Sequence, residues 1–433
     1  MKNWFNDQHF RSLLKNTSYL AVSKGVAAVA SIGTLAFAGR SLGLQGFGLL
    51  ILIASYAQAA NGLAKFQSWQ LVVRYGGAAL AKGDDEDFGR AAGFSLGLDL
   101  ASGLVGMVAA MALLPLIGGW FGIEDRYLGL ALAYCLLVPT MGASSPTGMM
   151  RAMDRFDLIS WQGTVTPILR SVLCGIGFWQ GWSFTAFVAV WFVTDLVGDL
   201  YMWFLTWREL RRRQLLRYVR PSLRPRGLAN AWPFAIQINL TYSLESAWGP
   251  LARLIVGGLL GPASAAVYRV AASLADSARK PADLLAKAYY PEVVRMDVAT
   301  KHPWRLMLRG TAIAGVFGLA AVLILVFGGR PLIHAMFGPE FIGVYPVLLV
   351  MIGIPLLAVL SFPLMPMLYA LDRPDAPLKA RLIGTLVYFA IVAPLSWRFD
   401  VEGAAMAIVL GQAIMVGVLI WYLRREHRRV RLR

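Results

Sequence analysis

The chain has 433 residues, 58% hydrophobic against 15% charged, with a mean hydropathy of +0.59 and a formal net charge of +17. Apolar runs this long and frequent exclude a water-soluble globular domain and place the chain in the membrane class. The basic excess comes with no zinc-ligand spacing, base-stacking platform or phosphate-binding glycine loop, so it speaks for anionic lipid headgroups and topology rather than nucleic acid.

In chain order, residues 1–17 are polar, with no short apolar core ending in a small-residue cleavage site, so the first span is retained. Apolar segments then predict spans near 18–39, 47–71, 91–117, 127–150, 158–180 and 183–207, followed by 231–260, 265–290, 308–334, 341–371, 377–397 and 402–423. Cys135 and Cys174 fall inside spans and read as packing residues. Pro250 interrupts span seven, and Pro355, Pro363 and Pro366 interrupt span ten, where a proline removes a backbone bond and kinks the rod.

Between spans six and seven lie Arg208, Arg211, Arg212, Arg213, Arg217, Arg220, Arg224 and Arg226, and the C-terminal tail adds Arg424, Arg425, Arg428, Arg429, Arg431 and Arg433. The positive-inside rule puts both clusters, and both termini, in the cytoplasm. The opposite connections offer Arg40, Arg126, Arg330 and Arg398 one at a time.

The chain also matches itself at an offset of 218 residues. Ala152 to Asp157 (Ala-Met-Asp-Arg-Phe-Asp) falls on Ala370 to Asp375 (Ala-Leu-Asp-Arg-Pro-Asp), Leu42-Gly43 falls on Leu260-Gly261, and Trp120 to Glu124 meets Met336 to Glu340 after a two-residue slip. A repeat of half the chain predicts an all-α integral membrane protein of 12 transmembrane helices, arranged as two parallel six-helix repeats around a central cleft. The division is 1–207 for the first bundle, 208–230 for a basic linker that only crosses between halves, and 231–433 for the second bundle.

Charges inside the spans mark candidate function. In span eight Arg269, Ser273, Asp276, Lys280, Asp283 and Lys287 follow at spacings of three and four, which is one helical face roughly 27 Å long. Each charge would cost about 2.5–3.5 kcal/mol at the centre of a lipid-facing helix, so this face looks inward. Two readings stay open: a self-neutralising ladder of i,i+4 pairs, and a wet translocation path, for which Arg279 adds a further cation. Subtracting the offset sends the stripe to Ser55, Gln58, Gly62 and Lys65 of span two. Span seven adds Asn239, Tyr242, Ser246, Gly249 and Arg253 at the same spacing, with Glu245 beside them and a Lys24–Glu245 pair as a possibility. Candidate substrate-binding residues are therefore Lys24, Lys65, Arg253, Arg269, Arg279 and Lys280, and candidate cleft-lining residues Gln58, Asn239, Tyr242, Glu245, Asp276 and Asp283. Asp99, Arg170, Asp195 and Asp199 read as charges paired inside the first bundle, and Asp154, Arg155, Asp372 and Arg373 as fixing turns at cytoplasmic span ends.

The order of motifs resembles a known family. Arg40 to Gly48 looks like the Arg-x-Leu-Gly-x-x-x-x-Gly turn of bacterial polysaccharide transporters of the O-antigen flippase type. Met150 to Phe156 resembles that family's motif after span four, and Arg253 to Pro262 with Tyr268 its span-seven exit. Ala252 departs from the Asp common there, and Ala266 from the usual Gly. The resemblance covers nearly the whole chain and implies a member of the multidrug/oligosaccharidyl-lipid/polysaccharide exporter superfamily in the bacterial inner membrane. It implies translocation of a polyprenyl-diphosphate-linked oligosaccharide from the cytoplasmic to the outer leaflet, with membrane lipids, a polysaccharide polymerase and glycosyltransferases as partners. No cofactor is implied beyond a coupling ion, H+ or Na+.

Three rivals are weaker. A cation-coupled multidrug exporter of the same fold favours an acidic, aromatic pocket, and a peptidoglycan-precursor flippase usually has two more spans. A membrane sugar polymerase or ligase needs a large outer loop, and here those connections are short. His9, His302, His334 and His427 show no metal spacing, and no nucleophile–base pair or Walker loop points to an enzyme. The expected topology predicts that a cysteine introduced at Arg213 resists an impermeant thiol reagent applied outside intact cells and reacts in inverted vesicles. Ready labelling from outside would overturn the orientation.

Overall fold

The computed structural model describes residues 8–294, 301–371, 373 and 375–431. These residues are overwhelmingly helical, with no strand among them, and six helical stretches are long and apolar enough to cross a membrane. The chain packs as two compact units, one ending at Gly258 and one beginning at Leu259.

The first unit opens with α1 (Gln8–Ala64), which is broken at Gly43, where φ 63 needs a residue without a Cβ. A short α2 (Trp69–Leu71) passes through a π-helical stretch, Val72–Gly76, into α3 (Gly77–Lys82). Next comes α4 (Asp85–Ile117), whose N-cap Asp84 accepts from the Asp87 N–H at 2.9 Å and whose first turn is acidic, as a helix N-terminus favours. Then follow α5 (Leu128–Cys135), α6 (Ser144–Ala152), α7 (Phe156–Gln180), α8 (Phe184–Arg212) and α9 (Ala231–Leu260). Helix α1 packs along α7 and against α4 and α5, while α6 rests on α2 and α8.

The second unit contains α10 (Pro262–Val294), α11 (Lys301–Phe337), α12 (Val344–Met351), α13 (Gly353–Ser361), α14 (Leu364–Ala370) and α15 (Asp375–Arg431), the last broken at Phe399 and Asp400. Helix α10 packs on α11, α12, α13 and α14, and α15 on α12, α13 and α14.

Several details recur at the offset found in the sequence. Gly43 and Gly261 (φ 63 and 89) turn the chain between the first two spans of each half, and Gly122 and Gly338 (φ 79 and 93) do so at the later matched turn. Arg155 binds Asp157 at 3.0 Å and Glu209 at 2.7 Å, tying the α6–α7 turn to the end of α8. In the second unit Arg373 binds Asp375 at 3.1 Å and also Glu426, tying the α14–α15 turn to the end of α15. The guanidinium of Arg155 holds Asp157 below the usual carboxylate range. Of the charges read as turn-fixing, Arg155 and Arg373 anchor ion-pair clusters whose third member is Glu209 or Glu426; Asp154 joins no ion pair among the described residues, and Asp372 lies outside them.

One expectation needs correction. The linker does more than cross: Ser222 N–H donates to the Gly93 carbonyl at 3.0 Å. Gly89, Gly93 and Gly97 form a bare row on α4 against which Tyr218, Arg220 and Ser222 lie in backbone contact. A Cβ at Gly93 would run into the Arg220 carbonyl oxygen. By packing the chain divides inside α9, after Gly258, and Arg253 of α9 bonds to α1 within the first unit.

The fourth span, predicted near 127–150, is interrupted at 136–143, and span ten, predicted to be interrupted by its prolines, is divided into α12, α13 and α14. Backbone freed from a helix inside a bilayer must find partners in the protein or line a cavity. Lys65 Nζ donates to the carbonyls of Pro139 and Met141 at 3.0 and 2.7 Å. Asp99 accepts the Ser145 N–H at the start of α6 at 2.7 Å and the Ser68 hydroxyl at 2.6 Å.

Glu209→Ala and Glu426→Ala should each destabilise the purified protein by about 2 kcal/mol, the scale of lost hydrogen bonds to a buried charge. Their effects should add, since each cluster is confined to its own unit. Thermal unfolding in detergent checks this, and a double variant no weaker than either single would refute it. Gly93→Ala should lift the linker from α4 and speed tryptic cleavage at Arg217 or Arg226. Proteolysis as slow as in the parent would show that the glycine row does not hold the strap.

Candidate functional site

Within the first unit the polar face predicted on span two meets the polar face predicted on span seven. Arg253 Nε donates to Ser55 Oγ at 2.7 Å and its terminal nitrogen to Gln58 Oε1 at 2.8 Å. One turn further, Ser246 Oγ donates to the Gly62 carbonyl at 3.2 Å, and a Cβ at Gly62 would sit 2.9 Å from the Ala247 nitrogen. The absence of that Cβ lets α1 and α9 approach closely enough for the seam to form. Asn239 accepts from Ser243 Oγ at 3.1 Å on the same face of α9.

Below this seam α1 ends, and Lys65 begins the wall of a cavity of about 230 Å³. Asn61, Lys65, Phe66, Gln67, Trp69, Met141, Gly142, Ser144, Thr147 and Arg151 line it, so the break in the fourth span supplies one wall and the end of α6 another. Lys65 is only 3% exposed. Its ammonium spends two of three protons on the carbonyls of the break, with Asp99 and Asp199 within electrostatic reach. Arg151 lies half-buried with its guanidinium 4.1 Å from the centre of the Trp69 ring, a cation–π contact, and Tyr242 acts on it electrostatically. No Asp or Glu is among the lining residues, so the cavity favours an anion.

A hydroxyl cluster supports the far side. Ser95 Oγ donates to the Ser68 carbonyl at 2.9 Å and lies 2.8 Å from Ser145 Oγ, which fixes the residues that bracket Asp99. Separately, Arg170 pairs with Asp195 and donates to Thr194 at 2.8 Å, and the Tyr134 hydroxyl donates to Asp195 at 2.5 Å. These interior charges do pair inside the first bundle.

Of the predicted set the structure joins Gln58 to Arg253, puts Lys65 in the cavity wall and brings Tyr242 within electrostatic reach of Arg151, with Asn239 on the same helix face as Tyr242 and Arg253. The side chains of Lys24, Glu245 and Asp283 lie outside the described residues. Arg269, Asp276, Arg279 and Lys280 stand on α10 in the second unit, on the side away from the buried Ala271, Leu274 and Ala275; Asp276 is exposed and the other three half-buried. Arg151, Asn61 and Trp69 were missed. Arg151 stood in the Met150 to Phe156 motif, where it read as one more charge at a cytoplasmic span end.

Comparison with known proteins adds the lineage. The inner membrane protein YghQ of Escherichia coli (strain K12) is 37% identical over 347 residues, covering 80% of this chain and 98% of that protein. The inward-facing structure of a multidrug resistance MATE family transporter of the MOP superfamily matches with a TM-score of 0.71 at 15% identity, covering 94% of each chain. The inward closed structure of the lipid II flippase MurJ matches at 0.69 and 11% identity, covering 95% of this chain and 90% of that one. At such identities the two structures establish the fold alone, that of MATE and MurJ transporters. With its apolar helices and inner-membrane relative, this is a multi-pass inner membrane protein. Residues 13–295 match the polysaccharide biosynthesis protein family, and the chain belongs to it.

Proposed function

We propose that the protein is a flippase that moves a polyprenyl-diphosphate-linked oligosaccharide from the cytoplasmic to the outer leaflet by alternating access. The observation that carries this reading is the cavity walled by Lys65 and Arg151 without a carboxylate. A diphosphate leaving water needs such groups, Arg by forked hydrogen bonds and Lys as a point charge, while the polyprenyl tail stays in lipid. Arg253, Arg269, Arg279, Lys280 and Lys24 are proposed to meet the diphosphate, Lys65 to hold the broken span around it, and Gln58, Asn239, Tyr242, Glu245, Asp276 and Asp283 to line its route. The arrangement proposed is 12 spans in two parallel repeats, with both termini cytoplasmic. It works without enzymatic chemistry or a bound cofactor, beside the glycosyltransferases and polymerase that make and consume its cargo. The fold is shared with a multidrug transporter, but an acid-free cation pair suits a lipid-linked anion better than a cationic drug.

Charge also supplies a direction. Each charge crossing the full field is worth about 2.3 kcal/mol per 100 mV, so an inside-negative potential drives a diphosphate outward. It also draws an empty cationic site back toward the cytoplasm, with Lys280 and Arg279 proposed as the charges that change access. In proteoliposomes holding the lipid-linked substrate, flipping should accelerate when a potassium diffusion potential makes the cytoplasmic side negative. Rates indifferent to potential, at fixed pH and sodium, would rule out electrical driving and point to antiport of H+ or Na+; no flipping at all would sink the flippase reading.

A further inference from the structure

We infer that Arg151 forms, in the cavity behind α6, a docking site for a phosphate-type oxyanion, and that Lys65 is a positioning residue that holds the broken fourth span open around it. This rests on the lipid-diphosphate reading above and divides the work between two cations that sequence alone treats alike or overlooks.

Lys65 is committed to backbone. Its two carbonyl bonds at 3.0 and 2.7 Å satisfy the C-terminal side of the break, and with 3% exposure it has little room to follow a ligand. The α6 N-terminus is committed as well, because Asp99 already accepts the Ser145 N–H at 2.7 Å, and the Ser144 hydroxyl accepts the Trp69 N–H at 3.1 Å. An anion entering the cavity is therefore met by side chains rather than by the helix end.

Arg151 has that capacity. Its guanidinium is stacked on Trp69 at 4.1 Å and takes part in no ion pair among the described residues. Its Nε is buried with no hydrogen-bond partner among them, a costly state that a bound oxyanion relieves. Asn61 Oδ1 is likewise buried without a partner, so its amide is able to turn its NH2 toward the same ligand. The space of about 230 Å³ is several times the ~30 Å³ share of one water, enough for a hydrated phosphate or a diphosphate. The chemistry is that of a phosphate oxyanion, carried either by the lipid-linked diphosphate or by a phospholipid headgroup.

The test uses the full chain in zwitterionic nanodiscs titrated with inorganic diphosphate by calorimetry. Saturable binding is expected, weakened about tenfold or more by Arg151→Gln, which is about 1.4 kcal/mol, and less by Arg151→Lys, with unfolding temperature unchanged in both. Lys65→Met should lose binding together with a lowered unfolding temperature, which separates positioning from contact. Absence of saturable binding in the parent, or Arg151→Gln binding as the parent does, overturns the site. Nanodiscs containing phosphatidylglycerol distinguish the source: competition by that lipid at the Arg151-dependent site supports the oxyanion site and assigns its ligand to a headgroup, and lack of competition assigns it to the lipid-linked diphosphate. Flipping that survives Arg151→Gln intact would remove the site from the route while leaving the flippase reading standing. Diphosphate binding in a parent that flips nothing would do the reverse.

Discussion

A membrane helix can be interrupted only if every backbone group released by the break finds a partner, because the bilayer core offers no water. The fourth span of the first unit is such a break, and the rest of the site follows from how it is satisfied. Lys65 takes two carbonyls and Asp99 an N–H. Those demands fix where α1 ends, which face of α4 points inward, and why Ser68, Ser95 and Ser145 cluster around one carboxylate. Charges that would be costly in lipid are thereby neutralised by backbone dipoles, and the gap between the two half-helices becomes a cavity rather than a defect.

Close approach of backbones is the second constraint. Gly62 lets α9 lie on α1, and Gly89, Gly93 and Gly97 let the arginine-rich strap lie on α4. In lipid, where apolar surfaces have little to gain from meeting one another, small residues drive association by permitting van der Waals contact and short hydrogen bonds. The Arg253 bonds to Ser55 and Gln58 are of this kind: they become possible only where the helices are nearly touching. As a consequence, α9 packs with the first unit up to Gly258 although the sequence repeat assigns it to the second half.

Hydropathy made the helical membrane class legible, and the offset of 218 residues was legible in glycines and the Asp-Arg-x-Asp box because both obey strong local rules. Gly43 and Gly261 are required by positive φ, and Arg155 and Arg373 by carboxylates two residues on. The polar faces of spans two and seven were also legible from spacing. Their meeting in one unit was not, since periodicity says which way a face points along a helix but not which helix it finds. The break at 136–143 left a trace in Pro139, Gly142 and Pro146, but an apolar run long enough to span reads as continuous unless its prolines and glycine are weighed together. Without the break, the neighbourhood of Arg151 has no cavity, and its guanidinium looks like one more cytoplasmic arginine.

The charges of the first unit therefore separate into two kinds that composition cannot tell apart. Lys65, Asp99, Arg170 and Asp195 are held by two or more short hydrogen bonds each, so moving any of them leaves buried partners stranded. Arg151 is held by the face of one indole and retains a buried N–H with no partner among the described residues. A carrier needs both kinds: rigid charges to keep an irregular backbone intact in a low dielectric, and a cation whose hydrogen bonds are not yet spent. The first kind is recognised by its satisfied geometry and the second by what its geometry leaves undone. In this fold both kinds line one cavity, Lys65 bonded to the broken span and Arg151 near the end of α6.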